Sequence, residues 1–173
     1  MFLTVFKSVV ASVKITCTAF VDNILHSVYY GDSKLDVHGD TGDASKMKTF
    51  AFETNQTSTE ANIKLKVEVE DHQPKDHCLK WAGFILQCKA KDQNGKEVES
   101  SPWHKFTSNT NEWQSEGGSA LCKIESGWLN TVDLSGVQEL LSAGASVIWT
   151  TGKKTTVLIG SPSLKGSIFY PCL

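Results

Sequence analysis

The sequence predicts an all-β, antiparallel sandwich with one short helix, on three observations. Apolar and polar residues alternate with period two, most cleanly in "ANIKLKVEVE", where Lys64, Lys66, Glu68 and Glu70 separate Ile63, Leu65, Val67 and Val69. Strand side chains point alternately to opposite faces, so this pattern marks a strand with one dry face and one wet face. Similar stretches recur with turn residues between them, as in sandwiches and barrels. A single segment, near residues 134–143, combines helical spacing with helix-end signals.

Taken in order, "VKITCTA" alternates Val13, Ile15 and Cys17 with Lys14, Thr16 and Thr18. Residues 24–30 and 46–53 are β-prone, and 61–70 is the alternating stretch above. "WAGFILQCKAK" begins as a continuous apolar run and ends alternating, with Cys88 and Ala90 opposed by Lys89 and Lys91. This is the pattern of a central strand with one end emerging. Asn94-Gly95 follows, a strong hairpin signal. "TSNTNEWQSEGGS", residues 107–119, reads as a long polar loop. Further strands are expected at 120–124, 146–150, 155–159 and 166–170. In the helix, Ser135 and Gln138 have capping-box spacing, Val137, Leu140 and Leu141 form the apolar face, and Gly144 suits the stop.

The chain has 173 residues, 40% of them apolar, enough for one domain with an ordinary core. Its net charge of −2, from 17 basic and 19 acidic residues, implies no polyanion-binding surface. No basic stripe interleaved with aromatics points to nucleic acid. No apolar run approaches the roughly 18 residues of a membrane span. "MFLTVFKSVVASV" reads either as a signal-like segment or as a first strand; Lys7 interrupts its apolar run. The whole chain, 1–173, is therefore taken as one domain, with residues 1–12 open between those readings.

Gly31-Asp32-Ser33 sits where a Gly-Asp-Ser hydrolase keeps its nucleophile. A serine nucleophile needs a base within reach and a group to orient that base. In that family both partners lie near the C-terminus, yet the last histidine here is His104. The pattern is also all-β, whereas that family alternates strands with helices. Gly-Asp between two β-prone segments suits a tight hairpin instead. Ser33 is thus expected in a turn, facing solvent, and no catalytic set is assembled.

"KITCTAFVDNILHSVYYGDSKLD" resembles the opening of galactose-binding-domain-like jelly rolls, with Asp22, Asn23, Tyr29, Tyr30, Gly31 and Lys34 matching in kind and order. The Tyr-Gly turn departs from the family's more usual Asn-Gly. Residues 81–86 resemble the central Ala-Gly-aliphatic strand, Ser101-Pro102-Trp103 and Trp113 the aromatic segment after it, and residues 147–149 and 168–170 the closing strands. The resemblance implies a jelly-roll-type sandwich, often a carbohydrate-binding or cell-surface module, often with a structural calcium.

Candidate sites follow from residue chemistry. Of five tryptophans, Trp81 and Trp149 lie in strand-like runs and read as core. Trp103, Trp113 and Trp128 lie in polar surroundings and are candidate ligand contacts, with Asn109, Asn111 and Glu112 at the rim. Trp113 and Trp128 are expected to be partly exposed. Asp40 and Asp43 in "HGDTGDAS" are a candidate calcium pair, short of the six to eight oxygens calcium takes. "EVEDHQPKDHC" gathers Glu70, Asp71, His72, Asp76, His77 and Cys78 without standard ligand spacing and reads as a solvated acidic loop. Cys17 and Cys88 read as small buried hydrophobes. Cys78, Cys122 and Cys172 are the disulfide candidates, and the odd count of five leaves one cysteine over. Asn55 heads a glycosylation sequon.

The function expected is a secreted, non-catalytic module for carbohydrate or glycoprotein, without cofactor unless calcium, and without nucleic acid or membrane span. The alternative is a structural extracellular or body-fluid protein that self-associates as a homo-oligomer. A third reading is an enzyme without recognisable motif.

Overall fold

The computed structural model describes residues 12–55, 64–71, 82–117, 120–123, 134–150 and 155–162. Eleven strands are assigned among them: β1 Ser12–Asp22, β2 Ile24–Tyr30, β3 Ser33–Leu35, β4 Val37–His38, β5 Lys48–Asn55, β6 Leu65–Glu70, β7 Gly83–Lys91, β8 Trp113–Ser115, β9 Leu121–Lys123, β10 Ile148–Thr150 and β11 Thr155–Gly160. The helix α1 spans Leu134–Ser142. The strands form a six-stranded sheet, ordered β4-β5-β1-β7-β10-β9, and a five-stranded sheet, ordered β3-β2-β6-β11-β8. Every pairing is antiparallel. The expected all-β sandwich with one short helix is what forms. The expected strand at 166–170 lies outside the described residues, as do residues 1–11.

Alternation explains the layers. In β1, Val13, Ile15, Cys17 and Ala19 are buried and Lys14 and Thr16 exposed; in β6, Leu65, Val67 and Val69 are buried. These inward faces meet between the sheets. Outward from β1 and β7, Phe20 and Ile85 are also buried. The helix covers this patch: Gly136 lies against the Phe20 ring, Val137 and Leu140 are buried, and Lys89 bonds Glu139 at 3.0 Å. Its end is a Schellman motif, with Gly144 at φ 90°, Gly144 N donating to the Leu141 carbonyl and Ala145 N to the Leu140 carbonyl.

Two hairpin expectations hold. Tyr30 pairs with Ser33 across Gly31-Asp32, with Gly31 at φ 58° and Ser33 exposed. Only the first turn residue has positive φ, the pattern of a type II′ turn. After β7, Gly95 has φ 80°, and Asp92 N bonds the Lys96 carbonyl.

The peptide between Asp22 and Asn23, where the chain passes from one sheet to the other, is cis. The edge strands β4, β9, β3 and β8 are only two or three residues long. Short edges offer little template for pairing with another chain. No helix among the described residues is long and apolar enough to cross a membrane.

Candidate functional site

Trp103 and Trp113, expected as ligand contacts, are buried. Trp113 is 1% exposed and Trp103 4% exposed. The polar stretch 107–119 is not one long loop, because Trp113–Ser115 forms β8 on the edge of the five-stranded sheet. Trp113 and Ser115 turn inward and Gln114 outward. The Trp113 indole lies flat on Gly160 of β11, and its Nε1 donates to the Thr107 carbonyl at 3.0 Å. A buried indole needs such a partner. A ladder of rings joins the sheets: Phe84 and Phe106 contact Trp113, Phe106 contacts Trp103, and Trp103 meets Tyr30 and Phe52.

The rim residues hold their own turn. Asn109 Oδ1 accepts from the Asn111 and Glu112 amides, and its Nδ2 donates to the Thr107 carbonyl and Glu112 Oε2. Trp81 and Trp128 lie outside the described residues; Trp149 is core, as expected.

The cysteine assignment also changes. Cys17 and Cys88 face each other across β1 and β7 and form a disulfide, with Cα atoms 4.0 Å apart. The Cys88 amide donates away from β1, to the Phe106 carbonyl. The pair is therefore a non-hydrogen-bonded one, where strands approach most closely. Shared inward parity, read as simple burial, was the signal for pairing. Cys122 is disulfide-bonded as expected; Cys78 and Cys172 lie outside the described residues. Asn55 ends β5 opposite Ser12.

Asp40 and Asp43 share a turn, but their oxygens serve it. Asp40 Oδ1 accepts from the Gly42 amide, and Asp43 Oδ1 from the Ser45 amide and hydroxyl. The Ser45 bonds hold the Asp43 carboxyl below its usual range. The cation beside Asp43 is the chain's own: Lys48 Nζ donates to the Asp43 carbonyl. Lys48 is 0% exposed, Asp22 5% and Asp71 1%. Burial pushes the Asp22 carboxyl up to about 6, helped by Asp71 and opposed by Lys48 and Asn23. Burial also lowers Lys48, against the pull of Asp43, Asp40 and Asp22. Among the described residues, no three His, Cys, Asp or Glu side chains gather as a metal site. Of the acidic stretch, Glu70 bonds His26 at 2.8 Å; residues 72–81 lie outside the described set.

The outer face of the five-stranded sheet holds a different constellation. Register places Lys34 opposite Tyr29, Tyr29 opposite Lys66, Lys66 opposite Ile159 and Ile159 opposite Gln114. One transverse row thus crosses all five strands, roughly 19 Å at ordinary strand spacing. Tyr29 and Ile159 are half-buried, and Lys34 and Gln114 exposed. The Lys66 ammonium lies 5.9 Å from the Tyr29 ring centroid, 3.5 Å from Glu68 and 3.6 Å from Glu116. Beside this row a bulge between Leu25 and Ser27 turns both His26 and Ser27 outward, and Ser27 Oγ donates to Glu68. The exposed part of the other sheet's outer face carries Lys14, Thr16, Ala51, Glu53, Lys89, Lys91 and, at its edge, His38, with no phenol or indole ring among the described residues. The row was hidden in the sequence because its members are scattered from 29 to 159 and meet only through strand order.

Comparison with known proteins found no family model, curated protein or solved structure that matches the chain.

Proposed function

We propose that the chain is a non-catalytic, extracellular binding module that takes carbohydrate, free or on a glycoprotein, on the outer face of its five-stranded sheet. The carrying observation is the Lys34–Tyr29–Lys66–Ile159–Gln114 row. A half-exposed phenol ring offers a surface for sugar C–H groups. Lysine and glutamine side chains beside it donate hydrogen bonds to hydroxyls. A flat sheet positions these groups more rigidly than a loop does. The resemblance to galactose-binding-domain-like modules supports the same reading. The buried Cys17–Cys88 disulfide supports an oxidising compartment. Met47 is the sole large apolar residue exposed among those described, which favours a polar ligand over an apolar protein partner.

The test is a glycan array followed by amide-shift mapping with the best hit. Binding is expected between millimolar and micromolar, about −4 to −8 kcal/mol. Shifts should concentrate on β2, β6 and β11, and Tyr29→Ala should abolish binding without moving the melting temperature. Shifts confined to the opposite sheet, or no glycan bound, defeat the proposal.

A further inference from the structure

We propose that Glu68 and Glu116 make the outer face of the five-stranded sheet selective for uncharged glycans, an inference that rests on the carbohydrate site proposed above. Register places the two residues in a second transverse row beside Lys34–Tyr29–Lys66–Ile159–Gln114. Ser27 stands opposite Glu68, and Glu68 opposite Val157. The Glu116 amide donates to the Val157 carbonyl at 2.9 Å, which brings Glu116 level with them. On β6 this second row lies two residues along from Lys66, about 7 Å at ordinary strand rise. A sugar ring stacked on Tyr29 and reaching across Lys66 has its edge over Glu68 and Glu116.

Both carboxylates lean toward the first row and hold its cation. Lys66 Nζ lies 3.5 Å from Glu68 Oε1 and 3.6 Å from Glu116 Oε2. An anionic group that approaches Lys66 therefore meets two carboxylates beside one ammonium. Lys34 lies past Tyr29 on the edge strand, a single exposed amine that salt screens. The Ser27 bond, with help from Lys66, holds the Glu68 carboxyl below its ordinary range against the effect of burial, so Glu68 is charged at neutral pH. A carboxylate only accepts hydrogen bonds, so it pairs with a sugar hydroxyl, which can donate. The carboxylate of a sialic acid, or a sulfate ester, has no proton to give at neutral pH and is repelled as well. Specificity of this kind comes from the repulsive element as much as from the attractive one. Two repulsions against one attraction at these distances, with a hydroxyl bond left unmade, amount to about tenfold in affinity.

The test is an array of neutral oligosaccharides, each printed beside its own sialylated and sulfated forms. At low salt the neutral members should bind about tenfold more tightly than their charged counterparts. The ratio should narrow in about 0.5 M salt, which screens charge. It should also narrow in the double variant Glu68→Gln, Glu116→Gln, which keeps both side-chain shapes and removes both charges. Charged members that bind as tightly as neutral ones, with amide shifts on β2, β6 and β11, overturn the selectivity and leave the carbohydrate site standing. A ratio unmoved in the double variant overturns the role of the two carboxylates; if that variant fails to fold, a ratio unmoved by salt does so. No glycan bound defeats the site itself, and the selectivity falls with it.

Discussion

Replacing both Cys17 and Cys88 by alanine isolates the contribution of the central disulfide. The bridge joins residues 71 apart in sequence and closes that length of chain in the unfolded state. The loop-entropy relation gives about 15 cal/mol/K for such a loop, or about 4 kcal/mol at 25 °C. The lost sulfurs add little, because alanine keeps the site apolar. Small domains are stable by only about 5–15 kcal/mol, so the loss is a large fraction of the whole. The assay is urea unfolding in oxidising buffer, followed by tryptophan fluorescence, since Trp113 and Trp149 are buried. The midpoint should fall sharply, and the slope should rise as the unfolded chain expands. A loss under about 1 kcal/mol contradicts the loop-entropy argument. So would five free thiols on mass analysis of the denatured, unreduced wild type.

Gly160→Ala places a Cβ 2.5 Å from Trp113 Cε2, so strand or indole must move; calorimetry should show a loss of about 1–3 kcal/mol. Ser33→Ala should leave stability within about 0.5 kcal/mol, and a fluorophosphonate probe should not label Ser33 in the wild type. Gly31→Val should cost about 1–3 kcal/mol, because Gly31 holds a φ of 58°; wild-type stability would show that reasoning wrong. Ser27→Ala removes the leading cause of the lowered Glu68 carboxyl. A lowered carboxyl stabilises above its unfolded pKa and loses that stabilisation as pH falls through its folded one. The variant should titrate Glu68 higher by carbon NMR, and an unmoved midpoint counts against the bond.

Much of the fold was legible because β6 and the first half of β1 bury one apolar parity and β7 is a continuous apolar run that ends alternating, patterns that need no tertiary information. Residues 24–30 could be bounded to the residue, since the cross-over and the Gly31 turn flank them. β8 was not legible. Three residues are too few to show a period, and its outward Gln114 and the Asn109 turn made the segment look solvated. The same composition misplaced the tryptophan site, for a single buried Trp113 between polar neighbours is also what an edge strand looks like. Lys48 did leave a signal, the shared parity with Phe50 and Phe52. A charge on that parity is met inside by the Asp43 carbonyl and by Asp22.

The Cys17–Cys88 bond also sets how the molecule answers a mechanical load. It joins the two central strands of the six-stranded sheet. A pull along the chain meets a covalent stop at β1 and β7. The enclosed segment, which holds β2 to β6, carries none of the tension. Roughly 240 Å of contour length stays unavailable for extension, at about 3.4 Å per residue. A tethered chain under flow would therefore keep that length in reserve until a reductant reached the bond.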